Sequence, residues 1–216
     1  GIKQSDQHLY VMINLVLNNE KDIDEHILTL FSLALSVKPT TIYEFGVRTG
    51  RSTLPFLYAC QILNCNLISV DVDDIRPDFN FPEEWKQKWQ FFKKDAIEFF
   101  EHDFQIFRNA RNTIQQDTGD LIYIDDWHSG PHVKKELELV SKTVSPKDLI
   151  VLHDLMYGNS QPNYKSVENP KDKQWDKGGP YRPISELDLN KWEYMTIPRC
   201  NGLTLLRKKS DIIITE

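Results

Sequence analysis

Short apolar runs alternate with longer stretches of helical period along this chain, and most of the runs stop at an acid or a glycine. Residues 8–19 and 24–37 carry the three-to-four-residue apolar spacing of helices. In the second, Ile27, Leu30, Phe31, Leu33, Ala34 and Val37 share one face, Asp22 or Asp24 is placed to cap it, and Pro39 lies just past its end. From residue 41 the pattern changes to that of buried strands. It predicts strands at 41–45, 66–70, 90–92, 120–124 and 149–152, with helices at 52–63, 96–104 and 132–144 between them. Ser52 or Thr53 is placed to cap the first of these helices, and Pro55 is tolerated in its first turn. Strands alternating with helices imply an α/β fold with a doubly wound, mostly parallel sheet covered on both faces.

Residues 156–183 break this rhythm. They are rich in Asn, Lys, Pro, Gly and Tyr and show no apolar period. A loop this long is a lid or acceptor loop, or a surface insert. A short helix at 185–189 and strands at 194–197 and 203–207 follow. The last two strands are joined by Pro198-Arg-Cys-Asn-Gly202, which predicts a C-terminal antiparallel hairpin before a frayed tail. The whole reads as one domain over 1–216: helices to 38, a core at 40–155, the loop, and the hairpin at 184–208.

Composition narrows the partners. The 216 residues carry a formal net charge of -6, with no basic stripe to suggest a nucleic acid. No apolar run approaches the ~18 residues that span a bilayer, and no signal-peptide pattern opens the chain. Three cysteines, Cys60, Cys65 and Cys200, lack metal or redox spacing, which fits buried packing residues in a reduced, cytoplasmic protein. Oligomeric state, including a homo-oligomer, stays open.

The candidate chemistry lies at strand ends. Glu44, Asp71, Asp125 and Asp154 each follow an apolar run and fall on one rim of the sheet. Clustered carboxylates repel one another, so such a rim suits a ligand or metal. The turn Thr41-Ile-Tyr-Glu-Phe-Gly-Val-Arg-Thr-Gly-Arg-Ser-Thr53 joins a strand to a helix through Gly46 and Gly50. Asp71 follows Gly50 by 21 positions, where an acid can accept both hydroxyls of a ribose. The loop lacks G-x-G-x-x-G, so it fits a zwitterionic ligand end better than a pyrophosphate.

These segments resemble the class I S-adenosylmethionine-dependent methyltransferases. Glu44-Phe-Gly-Val-Arg-Thr-Gly-Arg-Ser52 resembles their first motif, Val70-Asp71 their ribose-binding acid, and Lys94-Asp95-Ala96 their adenine-contacting segment. Asp120-Leu-Ile-Tyr-Ile-Asp-Asp-Trp-His128 and Leu149-Ile-Val-Leu-His-Asp154 are similar to strands four and five of a subgroup. That subgroup holds small-molecule and sugar O-methyltransferases and cephalosporin-hydroxylase-like proteins. The resemblance implies a Rossmann-like sheet of seven strands with the last antiparallel, and S-adenosylmethionine over the first two strands. Glu44, Gly46, Thr49, Gly50 and Ser52 then line its methionine end, Asp71 holds the ribose, and Asp95 and Ala96 meet the adenine. Asp125 borders the same ligand. One of Phe79, Phe81, Trp85 or Trp89 covers the base or packs in the core.

The catalytic end resembles catechol-type O-methyltransferases. By that likeness Asp125 and Asp154 bind Mg²⁺ or Mn²⁺, but Leu155 stands where an amide ligand follows. Asp126, His128, His153 or water then completes the set, and imidazole favours Mn²⁺ or Fe²⁺. Asp126-Trp-His128 sits where those enzymes carry their general base, so His128 is the expected base, with Asp125 beside it. The implied reaction is O-methylation of a small-molecule hydroxyl, on a sugar or a natural-product intermediate. Two other readings compete: an iron oxygenase on the same fold, and a non-catalytic S-adenosylmethionine-binding protein. Loop residues Tyr157, Tyr164, Lys165, Trp175, Tyr181 and Arg182 are candidates for choosing the acceptor.

Overall fold

A computed structural model describes residues 4–112, 118–156 and 178–210. Its elements in chain order are α1 (Gln4–Asn18), α2 (Ile27–Val37), β1 (Thr41–Phe45), α3 (Thr53–Leu63), β2 (Asn66–Asp71), α4 (Glu83–Lys86), β3 (Trp89–Lys93), α5 (Ala96–His102), α6 (Phe104–Asn112), β4 (Leu121–Ile124), α7 (Gly130–Ser141), β5 (Leu149–His153), α8 (Tyr181–Ser185), β6 (Trp192–Ile197) and β7 (Leu203–Lys208). The sheet order is β3-β2-β1-β4-β5-β7-β6. The first five strands run parallel, and β7 pairs antiparallel with both β5 and β6. The doubly wound sheet and the C-terminal hairpin are as predicted.

Period-two alternation divides the core between the two faces. Ile42, Leu67, Leu121, Tyr123 and Val151 pack toward α1, α2 and α3. Tyr43, Phe45, Ile68, Val70, Ile122, Ile124, Ile150 and Leu152 pack toward α5 and α7. Every residue of β1 and β4 is buried, which is why these strands read as unbroken apolar runs.

Local chemistry changed several expected boundaries. The predicted helix after Asp95 breaks at Asp103, which Lys94 Nζ holds at 2.7 Å, and resumes as α6. Helix α7 starts two residues early, because Ser129 Oγ accepts from the His132 N–H and Pro131 suits a first turn. Helix α8 lies at Tyr181–Ser185 rather than 185–189, and α4 was not predicted. Asp24 does not cap α2. Its carboxylate accepts from the Glu20 and Lys21 N–H groups and pairs with buried Arg51 at 3.1 Å. Ser52 and Thr53 do not cap α3 either, for a reason that concerns the site. Most of the predicted loop, including Tyr157, Tyr164, Lys165 and Trp175, lies outside the described residues.

Cys60 and Cys65 are buried free thiols. Among the described residues, no helix is long and apolar enough to cross a membrane.

Candidate active site

The register of the central strands sets the site. Phe45 is level with Val70 and Ile124, and Ile124 with Leu152. The residues that follow, Gly46, Asp71, Asp125 and His153, therefore emerge together at one rim. Open α/β sheets bind ligands in this crevice.

Glu44 is not part of the crevice wall. It lies inside β1, one residue short of its end, and is fully buried. Ser69 and Ser52 donate to its carboxylate at 2.6 and 2.7 Å, and Thr53 donates at 2.9 and 3.0 Å. This is where the expected cap residues of α3 are spent: they tie the glycine turn to the strand beneath it. Burial pushes the Glu44 carboxyl up to about 7 against these three donors. The folded state thus keeps a proton that the unfolded chain loses near pH 4.5, so this group's stabilising contribution falls as pH rises toward about 7. Thermal melts of parent and Glu44→Gln across that range test this. The parent should lose stability with pH more steeply than the variant, and parallel curves would refute the assignment.

Packing beneath the turn also requires a glycine at position 46. Its φ is +87°, and a Cβ there would stand 2.1 Å from the Asp125 carbonyl oxygen. The close approach is between the backbone after β1 and that after β4, and Gly46 also lines both cavities. Gly50 (φ +74°) lies outside the crevice wall and opens toward Pro77.

Two cavities meet at Gly46 and Asp125. The larger, about 410 Å³, is lined by Arg48, Asp71, Val72, Lys94, Asp95, Ala96, Asp126, Trp127 and His132 among others. The smaller, about 60 Å³, is lined by Val47, Thr49 and Ser52 with Lys21, Asp22 and Ile23. A long ligand with one broad and one narrow end fits this pair. Asp71 anchors the wall: its Oδ2 accepts from the Val47 and Arg48 N–H groups at 2.8 and 3.2 Å, and its Oδ1 from Asp73 at 3.0 Å. Asp95 caps α5 by accepting from Ile97 and Glu98, and presents its edge to the cavity.

The four aromatics at 79–89 take the packing alternative. Phe81 and Trp85 are buried on the α3 side, with Phe79 and Trp89 packed against them. None of the four lines the larger cavity. Exposed Val72 and Trp127 do. Trp127 belongs to the Asp126-Trp-His128 motif, which sequence reasoning used for its base and not for its ring.

Beyond Gly46 lies a charged cluster. His128 Nε2 is 3.1 Å from Asp154 Oδ2 and 3.9 Å from Asp125 Oδ1. His153 Nδ1 is 3.4 Å from Asp125 Oδ1 and 3.3 Å from Asp154 Oδ1. Asp154 reaches inward because its backbone is left-handed, at φ +66°, a strained conformation for a non-glycine residue. Tyr123 donates to Asp125 Oδ2 at 2.9 Å. Burial opposes charge on both imidazoles, but the carboxylates outweigh it. Asp154 and Asp125 hold His128 above the ordinary imidazole value, and Asp125 holds His153 well above it.

The cluster has unmet bonding capacity. His153 Nε2 meets the Cys200 carbonyl at 3.0 Å, which leaves Nδ1 facing the carboxylates. His153 Nδ1 and Asp154 Oδ1 are both buried without a hydrogen bond. Asp125, His128 and Asp154 offer ligand atoms within 4.8 Å of one another. Asp126, one of the candidates for a further ligand here, turns away toward His132. Leu155 is buried in the core, as an apolar residue should be.

A family model described as rhamnosyl O-methyltransferase/CmcI matches residues 12–203. No curated protein sequence matches the chain. Among solved structures it is similar to an O-methyltransferase from Bacillus cereus in complex with SAH, with 12% identity and a TM-score of 0.58 over 95% of this chain and 90% of that one. It is also similar to CalS11, a TDP-rhamnose 3'-O-methyltransferase of calicheamicin biosynthesis, with 17% identity and a TM-score of 0.55 over 94% and 92%. MycE, solved with Mg, SAH and mycinamycin VI, matches with 14% identity and a TM-score of 0.57 over 90% of this chain and 51% of that one. At such identities the structural likeness shows the fold.

Proposed function

The chain belongs to the rhamnosyl O-methyltransferase/CmcI family and is a class I S-adenosylmethionine-dependent O-methyltransferase; from that premise we propose that it methylates a sugar hydroxyl, with His128 as general base beside a divalent-metal site. The observation that carries this reading is His128 within reach of Asp125 and Asp154, next to the cavity that Asp71, Asp95 and Ala96 line.

In this reading Asp71 accepts the ribose hydroxyls and Asp95 and Ala96 border the adenine, with Trp127 and Val72 along its edge. Thr49 and the Gly46 turn enclose the methionine end. Asp125, Asp154 and His153 would hold a cation of the Mg²⁺ or Mn²⁺ class, since His153 Nδ1 and Asp154 Oδ1 are buried without hydrogen bonds beside Asp125. When bound, that cation neutralises the carboxylates and lowers the pKa of a coordinated hydroxyl. The His128 imidazole takes the hydroxyl proton as the oxygen–methyl bond forms and the sulfur–methyl bond breaks. The crevice supplies proximity and in-line alignment.

Asp71→Ala should weaken S-adenosylmethionine binding about tenfold to hundredfold, because charge-assisted bonds are worth ~1.5–3 kcal/mol. The same change releases the Val47 and Arg48 N–H groups, so a modest drop in melting temperature should accompany it. Unchanged affinity by calorimetry would remove Asp71 from the cofactor site.

The whole reading is tested by calorimetry with S-adenosylmethionine, with and without Mg²⁺ or Mn²⁺, and then by a screen of free and nucleotide-linked deoxysugars. Methyl transfer should stop on exhaustive chelation and return with added metal. Turnover that survives chelation would discard the metal site. Product formation that needs oxygen and 2-oxoglutarate would favour the iron-oxygenase alternative.

A further inference from the structure

A second cluster borders the larger cavity at Asp126 and His132. His132 and Glu136 are four residues apart on α7, so both side chains rise from one face of that helix. Asp126 reaches them from the end of β4. His132 Nε2 stands 3.3 Å from Asp126 Oδ2 and 3.6 Å from Glu136 Oε1. The reading above uses none of the three.

The hydrogen-bond account of this cluster does not close. Glu136 is fully buried, and neither of its carboxylate oxygens has a hydrogen bond. Asp126 Oδ1 is buried without one as well. A buried carboxylate with no partner is costly enough that a counter-ion or a proton must answer it. The imidazole makes one long hydrogen bond, to Asp126 Oδ2, and none to Glu136, whereas charge-assisted contacts close to ~2.7–2.9 Å. The two distances here instead approach the ~3.3 Å edge of a tetrahedron around an ion with ~2.0–2.1 Å bonds. Donors from all three residues fall within 4.8 Å of one another.

We propose that Asp126, His132 and Glu136 form a second metal site, for a transition-metal dication such as Zn²⁺, Mn²⁺ or Co²⁺. Two carboxylates and one imidazole form a borderline donor set that suits such ions better than Ca²⁺. Asp126 and His132 both line the larger cavity, which gives the ion an entry path and leaves room for water to complete its shell. Asp126 is adjacent in sequence to Asp125. An ion here therefore fixes the chain segment that carries Asp125, Trp127 and His128 and stiffens the wall between the cofactor cavity and the catalytic cluster. This site uses no ligand of the first metal site, so the two stand or fall separately.

Chelated protein titrated with Co²⁺ tests the proposal, read by the visible absorption of low-symmetry Co²⁺ and by calorimetric stoichiometry. The parent should take up two ions per chain. Glu136→Gln, which keeps size and burial, and His132→Ala should each abolish one of them or weaken it at least ~10-fold. Asp154→Asn should abolish the other and leave this one. Uptake by the parent of a single ion that Asp154→Asn leaves in place and the α7 variants remove would overturn only the catalytic metal site. Parental stoichiometry in both α7 variants would overturn the second site. Should both variants fail to fold, anomalous scattering from Co²⁺-soaked parent crystals decides: a peak among Asp126, His132 and Glu136 supports it, and a peak at Asp125 and Asp154 alone refutes it.

Discussion

His128→Ala is expected to lower turnover ~10²–10⁴-fold while S-adenosylmethionine affinity stays at the parental value. The imidazole stands beside the Asp125 and Asp154 carboxylates, whereas His153 spends its Nε2 on the Cys200 carbonyl. Its ionisation carries a second expectation. Burial disfavours its charged form, but Asp154 and Asp125 more than offset that and hold it above the ordinary imidazole value. A protonated imidazole accepts nothing, so the parent rate should rise with pH through one ionisation. Divalent metal competes with the imidazole for the same carboxylate charge, so that limb should move to lower pH as metal concentration rises. In the variant the limb should vanish. A variant that keeps parental turnover across both titrations would pass the role to another group. A variant whose rate is restored by excess metal would make His128 a ligand instead.

Gly46→Ala should be the most damaging single substitution in the crevice, and the damage should be to folding before it is to binding. The new methyl group meets the Asp125 carbonyl oxygen at 2.1 Å, and backbone cannot swing aside as a side chain can. The φ of +87° adds strain of ~1–3 kcal/mol, and forced overpacking adds ~1–3 kcal/mol more. Against a total stability of ~5–15 kcal/mol, that is a large share. Denaturant unfolding should show the loss without any ligand present. A variant of parental stability with selectively weakened S-adenosylmethionine binding would restore the other account, in which the glycine makes room for the ligand.

Much of this was legible in the chain because it depends on local period and on strand ends. The apolar runs at 41–45, 120–124 and 149–152 became central strands because a parallel sheet covered on both faces needs apolar residues on both. Residues that follow such runs must emerge at one rim, which is why Asp71, Asp125 and Asp154 could be placed from order alone. Boundaries moved where a side chain found a partner far away in sequence. Asp24 left its expected cap for Arg51, and Ser52 and Thr53 left theirs for Glu44.

Sequence by itself determined the alternation, the sheet type and the identity of the rim, since those follow from spacing and side-chain polarity. Tertiary structure decided what each polar group faces. Glu44 turned inward to fasten a turn rather than line a site, because it precedes the end of β1 by one residue and the pleat reverses direction at every residue. Nothing in the local sequence marks His132; the packing of α7 on the sheet brings it, with Glu136, against Asp126. Which charges share a desolvated space is a property of packing between distant elements, and no local pattern encodes it.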